Sequence, residues 1–231
     1  MNGLFVTGSD TEVGKTWVSC AIIRTIRDSI ERVGAYKPVA SGVTSDSDSD
    51  AARLWEATGR VQSIAMVCPQ SFAAPLAPPL AAAMEGRLVD FGLLRSGAQA
   101  WKQHCDFLVV EGAGGLLSPL TYGSTNADLA AEFGWPIVIV VADKLGAVNQ
   151  SLMAFEVAQA RKLKVGAIIL NETTKPSVKG QYDDHVSMIV KQIQASKRVV
   201  PRIMKMQNGQ TTFDELASMM LYSLTLPWIE S

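Results

Sequence analysis

Little in this chain could staple it, anchor it in a membrane or hold a polyanion. Three cysteines, Cys20, Cys68 and Cys105, are odd in number and scattered, and no Cys-x-x-Cys pair marks a zinc or redox centre. They read as small buried hydrophobes in a reducing compartment. The only histidines, His104 and His185, lack ligand spacing and suit a surface or a core. The longest apolar run, residues 136–142, is far too short to span a bilayer. A first strand starts almost at Met1 and leaves no room for a signal peptide. Neither sign of charge dominates: 21 Lys+Arg face 22 Asp+Glu, mixed along the chain. Nucleic-acid and anionic-membrane binders draw their affinity from clustered Lys/Arg, so neither is expected as a partner. The expectation is a soluble, cytoplasmic protein.

What is there begins with size and apolar content. A chain of 231 residues, nearly half hydrophobic, suits one sizeable domain over residues 1–231. Near its start, an apolar run over residues 3–7 is too short for a helix and reads as a buried strand. It leads into Gly8-Ser9-Asp10-Thr11-Glu12-Val13-Gly14-Lys15-Thr16. A helical pattern then starts at Trp17, with Val18, Ile22, Ile23 and Ile26 on one face. Strand, glycine-bounded loop, Lys-Thr and helix form the context of a phosphate-binding loop. Backbone N–H groups of the loop and helix start converge on a cavity that suits an anion. Lys15 adds a point charge at the β/γ-phosphates, and the Thr16 hydroxyl is a hard oxygen ligand for Mg²⁺. Five residues separate Gly8 from Gly14, against four in the general formula, and Ser9 holds the usual first-glycine position.

Further along, residues 34–39 predict a second strand, with Pro38 biasing Lys37 to extended geometry. A Ser/Asp-rich loop follows to Asp50, then a helix over 51–58. Pro69, Pro75, Pro78 and Pro79 predict an irregular connection over 65–80. Short helices are expected around 80–85 and 91–104. Residues 107–111 form an apolar strand that ends on Glu111, before the run Gly112-Ala113-Gly114-Gly115. A helix over 126–133, a strand over 137–142, a helix over 148–162, a strand over 165–170 and a helix over 183–195 complete the legible part. Residues 199–228 are the least readable. Apolar strands alternating with helices imply a single-domain, three-layer α/β fold of P-loop type. Its central sheet is mostly parallel and flanked by helices.

In such a sheet ligands sit beyond the carboxyl ends of the strands. The Gly8–Thr16 loop, Lys37, Glu111 and Asn171 all fall there. Glu111 is a candidate Mg²⁺ carboxylate or an exposed strand-end acid. Lys37 is a second phosphate-facing ammonium or a solvated lysine. Asp46, Asp48 and Asp50 read as a solvated loop in which one member could join the metal. No Ser/His/Asp triad or Cys/His pair is suggested.

Four blocks carry a family resemblance. They are residues 5–16, Tyr36-Lys37-Pro38-Val39-Ala40-Ser41-Gly42, Val110-Glu111-Gly112-Ala113-Gly114-Gly115 and Lys144-Leu145-Gly146-Ala147-Val148-Asn149. Together they closely resemble the dethiobiotin synthetases of biotin biosynthesis, whose loop has the same five-residue spacing. The resemblance implies a ligase that uses ATP and Mg²⁺ to close a cyclic urea from 7,8-diaminononanoate and CO₂. It implies Mg²⁺ on Thr16, Asp50 and Glu111, and Lys15 and Lys37 on phosphate and carbamate. Thr11, Glu12 and Ser41 would line the diamine and carbamate site, with Thr11 and Glu12 beside the chemistry. Glu12, Val13, Gly14, Lys15, Thr16 and Asn171 would bind the nucleotide, Asn171 at adenine. A homodimer is implied, in which Gly146, Ala147, Val148 and Asn149 receive the substrate carboxylate from the neighbouring subunit. The sequence departs from the family at Pro79 (often His), at Ala74 (commonly an acid) and over 199–204. There Val199-Val200-Pro201-Arg202-Ile203-Met204 replaces a Gly-x-Ile-Pro stretch that packs on the base. The alternative is a P-loop ATPase switch of the partition or cell-division type. Positions 9 and 10 lack the second lysine of such switches, and no basic amphipathic helix ends the chain.

Overall fold

The computed structural model describes residues 1–173 and 180–206; most of the hard-to-read C-terminal stretch lies outside them. The elements run β1 (Asn2–Gly8), α1 (Lys15–Arg27), β2 (Val33–Tyr36), α2 (Asp50–Ala57), α3 (Ile64–Val67), α4 (Pro78–Met84) and α5 (Phe91–Ala100). They continue as β3 (Phe107–Gly115), β4 (Pro119–Thr121), β5 (Ser124–Thr125), α6 (Asn126–Phe133), β6 (Ile137–Ala142), α7 (Ala147–Ala160), β7 (Val165–Asn171), α8 (His185–Ala195) and β8 (Arg202–Met206).

Six strands form one sheet in the order β2-β3-β1-β6-β7-β8, and every pairing in it is parallel. Strands buried on both faces need apolar side chains at successive positions, and β6 is buried at every residue. Helices flank the sheet. The spaced residues of α1, Val18, Ile22, Ile23 and Ile26, all join the core. From β1 the chain moves out to β2 and β3 on one side, then to β6, β7 and β8 on the other. β1 therefore lies at the topological switch point, where open α/β sheets bind ligands.

Several boundaries differ from the sequence reading. α1 begins at Lys15 rather than Trp17, so the motif's Lys-Thr pair is the first turn of the helix. β2 stops at Tyr36, and Lys37 follows it with its backbone N–H donated to Val67 O at 2.7 Å. The proline connection contains α3 and then starts α4, with prolines in the first turn where the missing N–H is harmless. β3 runs on through Gly115, which puts Glu111 inside a strand, paired with Val6 of β1. The stretch over 199–204 opens β8, whose Arg202–Met206 pairs with Ala167–Asn171 of β7.

Candidate functional site

The loop between β1 and α1 is held from below and open above. Ser9 N–H donates to Val140 O of β6 at 2.9 Å, and Leu116 N–H donates to Gly8 O at 3.0 Å. Gly14 caps α1 at φ +86°, and a Cβ there would stand 2.1 Å from Asn171 Nδ2. Only glycine meets both demands. α1 has no side-chain cap and no acid in its first turn, so its leading N–H groups and positive dipole end face an anion unopposed. Lys15 Nζ donates to Asp10 O at 2.9 Å. Burial holds the Lys15 ammonium below its ordinary pKa, with Lys37 adding to the fall and Glu111 opposing it.

Behind the helix start lies a charged cluster. Thr16 Oγ1 donates to Glu111 Oε1 at 2.8 Å. Lys37 Nζ donates to the same Glu111 oxygen at 2.7 Å and to Asp50 Oδ2 at 2.6 Å. Glu111 is 0% exposed and Lys37 4%, so the strand-end and solvated-lysine alternatives both fail. Burial works against the Lys37 charge, but Glu111 and Asp50 outweigh it and raise the pKa. Burial likewise works against charged Asp50, but the Lys37 ammonium bonded to it keeps its carboxyl below the ordinary value. Asp50 opens α2, next to the Ser49 cap, whose Oγ accepts from Ala52 N–H at 3.1 Å. Asp48 instead pairs with Arg53 at 2.7 Å on the surface.

The donor set suits a hard cation. Among the described residues no cluster of three or more His, Cys, Asp or Glu could hold a metal. Two carboxylates and a hydroxyl are nevertheless the sparse protein share that Mg²⁺ takes beside phosphate and water. Glu111 Oε2 is buried with no hydrogen-bond partner among the described residues, so one lone-pair set remains for a cation.

The other expected residues distribute around this centre. Thr11 and Glu12 are exposed at the loop crest, with Glu12 at φ +55°, and Val13 is buried beneath them. Ser41 is half-buried just past Lys37. Asn171 is buried at the end of β7 and donates its Nδ2 to Val13 O at 3.0 Å, a strut under the loop. Gly146 caps α7 at φ +94° with no side-chain cap, leaving a second helix N-terminus open. Ala147 is buried there, Val148 half-buried and Asn149 exposed.

Two groups escaped the sequence reading. Asn126 Nδ2 donates to Ala113 O at 2.6 Å and Gly115 O at 2.8 Å, fixing the glycine run of β3. Asp143, just past β6, lies 2.7 Å from His185 Nδ1 and 3.2 Å from Lys205 Nζ, joining the ends of β6 and β8 to the start of α8. The strand-end rule that picked Glu111 and Asn171 applies equally to Asp143.

A parallel sheet with a phosphate loop at its switch point and a Lys/Asp/Glu cluster behind it defines a P-loop protein that uses ATP. The AAA-domain family matches residues 2–208. An ATP-dependent dethiobiotin synthetase BioD of Anaeromyxobacter dehalogenans strain 2CP-C is 47% identical over 174 residues, 75% of this chain and 78% of that relative. One of Rhodopirellula baltica is 40% identical over 182 residues, 72% and 71% of the two chains. A ParA family ATPase from Chlorobium tepidum superposes with a TM-score of 0.50 at 14% identity, over 95% of this chain and 88% of that one; this likeness concerns the fold alone. The chain belongs to the ATP-dependent dethiobiotin synthetase family, the AAA-type ligases of biotin biosynthesis.

Proposed function

We propose that this chain carboxylates 7,8-diaminononanoate with CO₂ and closes the ring to dethiobiotin at the expense of ATP. One amine nitrogen attacks CO₂ and loses a proton, giving an N-carbamate. The carbamate oxygen then attacks the γ-phosphorus, the bond to ADP breaks, and a carbamic-phosphoric anhydride results. The second amine attacks the carbonyl carbon, phosphate leaves, and the cyclic urea closes with loss of a proton. A carbamate is a poor electrophile, and phosphorylation turns its oxygen into a leaving group. Because both amines belong to one molecule, closure is intramolecular, which lowers its barrier by several kcal/mol.

In this reading Lys15 and Lys37 stabilise charge on the phosphoryl and carbamate oxygens. Thr11, Glu12 and Ser41 surround the diamine, Thr11 and Glu12 beside the reacting groups. The backbone of Glu12, Val13, Gly14, Lys15 and Thr16 holds the phosphates. Asn171 spends its N–H on Val13, which leaves its amide oxygen to accept from the adenine amine. Thr16, Asp50 and Glu111 would hold Mg²⁺, which when bound neutralises β- and γ-phosphate charge. The protein works in the cytoplasm as a homodimer, with Gly146, Ala147, Val148 and Asn149 of one subunit receiving the substrate carboxylate of the other.

The observation that carries the reading is the buried Lys37–Glu111 contact beside an uncapped α1 N-terminus. The test is ADP release with and without diaminononanoate plus bicarbonate, with dethiobiotin read by mass spectrometry. Strong stimulation with stoichiometric product is expected. ATP hydrolysis indifferent to the diamine would overturn it.

A further inference from the structure

Lys37 bonds the two carboxylates that the proposed function gives to the metal. Its Nζ lies 2.6 Å from Asp50 Oδ2 and 2.7 Å from Glu111 Oε1. The Thr16 hydroxyl bonds the same Glu111 oxygen, and the other oxygen, Oε2, is buried without a partner among the described residues. Ammonium and divalent cation therefore call on the same two carboxylates, of which Glu111 is fully buried and Asp50 partly exposed. Two cations held by one buried carboxylate repel strongly where solvent screens them poorly. Lys15 is not a competitor, since its Nζ rests on the neutral carbonyl of Asp10.

We propose that Lys37 and the divalent cation are alternative occupants of one carboxylate seat. The metal enters only together with a phosphate anion, which takes up the displaced ammonium. This rests on the assignment of Thr16, Asp50 and Glu111 as metal ligands. The geometry supplies both ends of the exchange. The Lys37 backbone is fixed, because its N–H donates to Val67 O at 2.7 Å, while four methylenes let the ammonium swing. The uncapped start of α1, where Thr16 stands, draws in the anion that receives it. At each stage the buried Glu111 keeps a cation, so the exchange never leaves a bare charge in the core. Free metal is thereby excluded, and the ammonium reaches the phosphate when the metal does.

The experiment titrates Mn²⁺ alone, then Mn²⁺ with ADP, into the full chain, reading free Mn²⁺ by electron paramagnetic resonance. Wild type should bind Mn²⁺ with ADP and scarcely without it. Lys37→Gln should bind Mn²⁺ without nucleotide about tenfold or more tightly than wild type, the ammonium having gone. Adding Glu111→Gln should abolish that gain. Lys37→Met should gain melting temperature from Mn²⁺ alone, and wild type should not. Lys37→Gln keeps an N–H donor between the carboxylates and carries the test if Lys37→Met does not fold. Two failures are distinct. If Glu111→Gln leaves the ADP-dependent Mn²⁺ binding of wild type intact, the ligand assignment is wrong and the exchange falls with it. If Glu111→Gln destroys that binding but Lys37→Gln binds free Mn²⁺ no better than wild type, the seat stands and the exchange is overturned.

Discussion

Asp48 and Asp50 stand two positions apart in the same Ser/Asp run, yet they pair with different cations. Asp48 meets Arg53 with both side chains well exposed, a contact worth about 0–1 kcal/mol. Asp50 meets a buried ammonium. Alternating serine and aspartate offers no period that separates the two. Only the family resemblance, with the helix start just after Asp50, singled out Asp50, the one that meets Lys37. With Asp50 on the metal as proposed, Asp50→Asn should lower turnover by about tenfold or more or demand higher Mg²⁺. Asp48→Asn should stay within about twofold. Initial rates against Mg²⁺ for the two variants decide it, and a damaging Asp48→Asn would shift the loop assignment by two residues. Lys15→Ala should cut turnover by about a hundredfold to a thousandfold while melting within a few degrees of wild type. The reason is that among the described residues Lys15 donates its hydrogen bond to a neutral carbonyl. An active, well-folded Lys15→Ala protein would end the phosphate-site reading.

At the scale of elements, legibility followed burial. The loop and its helix could be read because β1 is buried from Gly3 to Gly8 and α1 repeats its buried residues at helical spacing. Strands β6 and β7 were legible for the same reason. α3, with four residues, and the short β4–β5 pair are below the length at which a period can be seen. Among the described residues β8 is a sheet edge, and it mixes Arg202 and Lys205 with methionines as edges do, so its pattern does not announce a strand. Glu111 was found as a strand end for a sound reason and sits mid-strand because glycines after it let β3 continue. The loop's shape depends on Gly14 in two ways, by its φ and by the amide of Asn171 against it. Gly14→Ala should lower the melting temperature and raise KM for ATP about tenfold or more, since a left-handed alanine alone costs about 1–2 kcal/mol. Adding Asn171→Ala removes the clash but not the backbone strain. The double variant should recover part of the melting temperature and little of the KM. Full recovery would mean that the clash alone made Gly14 necessary.

At the scale of the whole molecule, the proposed homodimer poses the question of which subunit completes each site. The open N-terminus of α7 carries no cap and no acid, and Leu145 before it is 87% exposed. Tyr122 and Met153 are also large and largely exposed. A competing pull comes from within the chain: Ser9 of the phosphate loop donates to Gln150 Oε1 at 3.4 Å, tying α7 to its own loop. If α7 served its own loop, Asn149→Ala and Lys15→Ala would damage one and the same site. In a mixed dimer each site would then carry one of the two changes, and heterodimers would retain nothing. If α7 serves the neighbour, a mixed dimer pairs one site that carries both lesions with one that carries none. Co-folding or exchanging the two inactive variants should then restore up to about half of the activity per heterodimer, as expected for residues acting in one unit. Mass spectrometry of differently tagged subunits would report the exchange, and dethiobiotin formation the rescue. Confirmed exchange without rescue would place Asn149 in its own subunit's site or outside any site.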